Sequence, residues 1–190
     1  MIALGFRVKS GYAIAVVLSG PARAPTATAR HVVELSDPDV AETRQPYHSG
    51  VGEAEEDTRA IARRVKIIER AAARSVTMLL ADAPAARAAI VVGSVIDPAT
   101  VGNLHIRAHA NEGRLFRIVL EEALAARGVR CSVIVEKELA AAAQARLGQT
   151  DAQIKSMMSA FGRTLGSPWR SDEKAAATAA WMALRGRSRS

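Results

Sequence analysis

The first eighteen residues constrain this chain more than any other stretch. Two apolar runs, residues 1–6 and 12–18, flank a polar segment holding Lys9, Ser10 and Gly11, the pattern of strand, tight turn and strand. A strand that is apolar at nearly every position needs cover on both faces, so it is predicted to be a central strand with helices packed against it. Helix-covered open sheets bind ligands at their strand ends. The residue at that end is Arg7.

A chain of 190 residues suits a single domain whose core folds without disulfides or structural metals. Residues 1–184 are read as that domain and residues 185–190 as a basic tail. The single cysteine, Cys131, rules out a disulfide framework and a Cys-rich zinc site. Its apolar setting, Cys131-Ser-Val-Ile-Val135, makes it a buried small hydrophobe rather than a nucleophile. No apolar run approaches the roughly 20 residues that span a bilayer. Polar residues also interrupt the N-terminal run where a cleavable signal would continue, so the expected setting is soluble and cytoplasmic. A net charge of +7 favours polyanionic partners, DNA or RNA, although an Arg- and Ala-rich composition raises charge without such a role. With only 4% aromatic residues, no base-stacking platform stands out.

Residues 20–27 read as a loop and His31-Val-Val-Glu-Leu35 as a third strand. The polar stretch 37–56, with Pro38, Pro46, Gly50 and Gly52, is predicted to be a long irregular connection, of the length that is usually functional or disordered. Asp57 is suited to cap a helix in which Ile61, Val65, Ile68 and Ala72 recur at helical spacing. Its other face carries Arg59, Arg63, Arg64, Lys66, Arg70 and Arg74, read as a solvated face. Ala88-Ala-Ile-Val-Val-Gly93 is a buried strand. A loop over 97–111 holds His105, Arg107 and His109, and a helix marked by Leu115, Phe116, Val119, Leu120 and Leu124 closes at Gly128. The strand 129–135 completes a right-handed parallel crossover. Three further helices follow, the second opened by the capping box Thr150-Asp-Ala-Gln153 and the last spanning 172–184.

The resulting order, three antiparallel strands, a helix, then two parallel strands joined by a helix, gives an α/β class with a mixed five-stranded sheet, the topology of the ribonuclease H-like superfamily. Short motifs in sequence narrow it. These are Leu4-Gly-Phe-Arg-Val-Lys-Ser-Gly-Tyr12, Val91-Val-Gly-Ser-Val95, Ala125-Ala-Arg-Gly-Val-Arg-Cys-Ser-Val-Ile-Val135, Gly148-Gln-Thr-Asp-Ala-Gln-Ile-Lys-Ser-Met-Met158 and Ser171-Asp-Glu-Lys-Ala-Ala-Ala-Thr-Ala-Ala180. In their order and spacing the chain resembles the RuvC-type Holliday-junction resolvases.

The resemblance implies two-metal phosphodiester hydrolysis, in which four carboxylates hold two divalent ions at the ends of the first and fourth strands and on the last helix. In this sequence those four positions fall on Arg7, Gly93, Asp172 and Ala175. Only Asp172 is a carboxylate, and Arg7 would set a permanent positive charge where a cation belongs. The expectation is therefore a catalytically degenerate, non-cleaving domain that binds nucleic acid or scaffolds a complex, with no metal or other cofactor. One alternative is an active endonuclease using Mg²⁺ or Mn²⁺ with relocated carboxylates, for which Asp97 and Glu173 are the candidates beside Asp172. Another is a protein-only scaffold, a homodimer like the family's. Acidic residues in a first helical turn also complement the helix dipole, the simpler reading of Asp172 and Glu173. Arg7, Lys9, Arg107, Arg114, Lys155 and the tail are the expected nucleic-acid contacts. Arg7 is further expected to pair with Asp172 or Glu173. His105 and His109 have a metal-compatible spacing on a helix, but no nearby acid completes a ligand set, so they read as loop or surface residues.

Overall fold

The computed structural model describes residues 1–50 and 53–186. Arg187 and Arg189 of the expected tail lie outside the described residues. Strands β1 (Ile2–Lys9) and β2 (Tyr12–Ser19) form the hairpin the sequence demands, turned by Ser10 and by Gly11 at φ +83°, where glycine has no Cβ to clash. Strand β3 (Thr26–Glu34) starts earlier than the sequence suggested. Its Thr26-Ala-Thr-Ala run is half polar because β3 is an edge strand, with Thr26 and Thr28 exposed on either side of the buried Ala27.

Two short strands, β4 (His48–Ser49) and β5 (Glu53–Ala54), pair within the long connection. Helix α1 (Thr58–Asp82) follows, with the Asp57 carboxylate accepting from the Arg59 and Ala60 amides. Strand β6 (Arg87–Val92), helix α2 (Leu104–Ala125) and strand β7 (Arg130–Val135) form the crossover. Helices α3 (Leu139–Leu147), α4 (Asp151–Leu165) and α5 (Ser171–Arg185) complete the chain. The Thr150 and Gln153 side chains cap α4 reciprocally, as the motif requires. Arg185 ends α5 rather than starting a tail, its guanidinium donating to the Leu147 carbonyl.

The five-stranded sheet runs β3-β2-β1-β6-β7, with β1 antiparallel to β2 and parallel to β6. β1 is central, as its unbroken apolar sequence required. Alternate residues divide its side chains between two cores. Leu4, Phe6 and Val8 join Ile68, Val76, Phe116 and Leu120 on the side covered by α1 and α2. Ala3 joins Val91, Leu147, Met158, Phe161 and the alanines of α5 on the other.

Candidate functional site

Gly5 and Arg7 share with Ala3 the face of β1 that lies under α5. A Cβ added at Gly5 would lie 1.9 Å from the Ala176 carbonyl oxygen and 2.3 Å from the Ala180 amide nitrogen. Glycine on the strand and alanine on the helix thus let α5 sit almost backbone to backbone on β1. That approach holds the first turn of α5, with Asp172, over the end of the strand.

Arg7 is buried there, 6% exposed. Its Nη2 donates to Glu136 Oε2 at 2.6 Å and its Nη1 to the Val8 carbonyl at 3.1 Å. Nε lies 3.6 Å from Asp172 Oδ1, an ionic contact beyond hydrogen-bond length. Lys9 Nζ reaches the same carboxylate at 3.4 Å. Two cations and two anions form a closed network at the ends of β1 and β7 and the start of α5. The guanidinium cannot give up its charge, so a divalent ion entering here would have to displace Arg7 from both carboxylates. The expected Arg7–Asp172 pairing is present. Glu136 was missed, although it directly follows the predicted fifth strand and the strand-end argument used for Arg7 applied to it equally.

The other sequence candidates occupy varied settings. Glu173 is buried and accepts from the Arg170 amide at 2.7 Å, so it caps α5. Gly93 follows β6 two residues after Val91, which pairs with Arg7 across the sheet. It has open space around its Cβ position and no positive φ. Ala175 is buried, one helical turn from Asp172. Asp97 accepts from the Ala99 amide at 3.1 Å and faces Arg114 at 4.0 Å, apart from the Arg7 network. Arg107 donates to the Val101 carbonyl at 2.7 Å, and Lys155 pairs with Asp151 on the exposed side of α4. Cys131 is partly buried against the core. Burial pushes its thiol pKa up to about 12, with Glu121 adding to the rise.

His105 and His109 are not in a loop. α2 begins at Leu104, its first turn capped by the Asn103 side chain accepting from the Ile106 amide. Both histidines therefore lie on the helix, where they meet His48 of β4.

No family model matches this sequence, and no curated protein matches it. Among solved structures it is similar to Thermus thermophilus RuvC in complex with a Holliday junction substrate, with TM-score 0.59 and 14% identity over 96% of this chain and 92% of that one. The Thermus thermophilus RuvC structure itself aligns with TM-score 0.55 and 12% identity over the same shares. The fold is RuvC-like. The likeness runs nearly the full length of both chains, so the RuvC-like architecture includes α4 and α5 as well as the sheet. At these identities it is a likeness of fold.

Proposed function

We propose that this chain is a non-cleaving nucleic-acid-binding domain built on the RuvC-like fold. The observation that supports the reading is the Arg7–Glu136–Asp172 network, a buried guanidinium facing two carboxylates at the position where the RuvC resemblance would call for a metal ligand. A net charge of +7 and a neighbour in the same fold that holds a Holliday junction favour a branched or duplex DNA partner. Lys9, Arg107, Arg114 and Lys155 are the proposed phosphate contacts, with Arg7 holding the rim in place from beneath. A cytoplasmic setting belongs to the same reading. Among the described residues no helix is long and apolar enough to cross a membrane.

The test is binding of a four-way junction and a matched duplex across a salt series. Affinity should fall linearly on a log–log scale as phosphate contacts release counterions. Replacing Arg114 or Lys155 by Gln should lower the slope by about one each. Failure to bind either DNA at about 50 mM salt would overturn the nucleic-acid reading. A second reading, a homodimeric scaffold, draws on the exposed Val95, Ile96, Leu104 and Ile106 at the rim where β6 leads into α2. Sedimentation showing a dimer that Leu104→Ser with Ile106→Ser dissolves would favour it.

A further inference from the structure

We propose that His48, His105 and His109 bind one divalent transition-metal ion of the zinc type, with Glu112 holding the His48 ring from behind. Their candidate ligand atoms all lie within 4.8 Å of one another, and the ring centroids are 4.5 to 5.2 Å apart. His48 Nδ1 sits 2.7 Å from Glu112 Oε1. A carboxylate accepts, so in the neutral ring Nδ1 carries the proton and Nε2 keeps the lone pair a metal needs. That Nε2 is buried without a hydrogen-bond partner, on a side chain only 5% exposed. Glu112 is itself 1% exposed, and its Oε2 lies 3.4 Å from His109 Nδ1, close but without a hydrogen bond. A carboxylate behind a histidine is the usual arrangement around a metal-bound imidazole, fixing tautomer and ring direction.

The scaffold delivers three ligands from two places. His105 and His109 are one turn apart on α2 and share a face. His48 comes from the short hairpin, held by Arg64, whose Nη1 donates to the Pro46 carbonyl at 2.9 Å and the His48 carbonyl at 3.3 Å while its Nη2 pairs with Glu55 at 2.9 Å. Three imidazoles select zinc, cobalt, nickel or copper over magnesium or calcium, which prefer oxygen. Three protein ligands also leave a fourth position open, and of the three His105 also lines a groove with Ser49, Glu53, Glu55 and Asn103. Tetrahedral coordination at about 2.1 Å sets the nitrogens roughly 3.4 Å apart. Small rotations of the two exposed rings close the difference. None of the Arg7 network takes part.

The test uses untagged, chelator-stripped protein titrated with Zn²⁺ by calorimetry and with Co²⁺ by visible absorption. The expected result is one ion per chain, tetrahedral Co²⁺ bands and a melting temperature that rises with Zn²⁺ but not with Mg²⁺. Because His105 and His109 are exposed, His105→Gln with His109→Gln keeps the apo fold, and it should weaken Zn²⁺ binding by about 100-fold or more. Glu112→Gln should weaken it by about 10- to 100-fold. No stoichiometric ion at micromolar Zn²⁺, affinity unchanged in the double variant, or binding lost instead in Asp172→Asn would each overturn the site. Failure here leaves the DNA reading untouched, since that is measured with metal-free protein.

Discussion

The permanent charge of Arg7 is tolerated beneath α5 because two carboxylates face it, and the consequences of removing each partner differ. Asp172→Asn with Glu136→Gln leaves a buried guanidinium uncompensated, and should destabilise the fold by about 2 kcal/mol, less than a fully buried pair because both acids are partly exposed. Arg7→Met should cost less than that double change, since a well-packed apolar side chain often replaces a buried charge at little loss. Urea unfolding midpoints of the two variants check the order. Cys131 gives a chemical prediction at the same scale. The thiolate is the reactive form, and burial pushes this thiol up to about 12, so at pH 8 alkylation of the folded protein should be far slower than of the chain in urea. Equal rates would place Cys131 at the surface.

The element that sets the site is α5 against β1, and its tolerance is small. Gly5→Ala drives a methyl into the backbone of Ala176 and Ala180 and should destabilise by about 3 kcal/mol, the upper range for overpacking, read as a fall in the denaturant midpoint. The glycine and the alanine run were both visible in the sequence, but nothing local said that they face one another. The hairpin, the Asp57 cap, the capping box and the crossover were legible because each is written in adjacent residues or in one periodicity. The first turns of α2 were not. Their inward positions are Ala108 and Glu112, which give no apolar stripe, so the helical period was invisible where His105 and His109 sit. His48, more than fifty residues away in the chain, reaches them only through the folded hairpin. Spacing alone therefore gave two of the three histidines of that cluster and none of its carboxylate.

For the whole molecule, the RuvC-like fold was readable from motif order, whereas the network at its strand ends was readable only in part, since Arg7 and Asp172 were expected to meet and Glu136 was not. The open space at Gly93 makes Arg7→Asp, Gly93→Glu and Ala175→Asp a practical combination. Ala175 is the harder of the three, because its new carboxylate is buried and needs a cation. The triple variant should bind Mg²⁺ near Asp172 and melt higher in its presence, while the natural protein gains nothing from Mg²⁺; the oxygen preference of Mg²⁺ keeps the histidine cluster out of that readout. The most direct measurement is strand cleavage of a four-way junction by the natural protein in Mg²⁺ or Mn²⁺, run beside Asp172→Asn. The account predicts junction bound and uncut in both. Metal-dependent cleavage that disappears in Asp172→Asn would contradict it, and would mean that Asp172, with Glu136, Glu173 or Asp97, still assembles a working metal site.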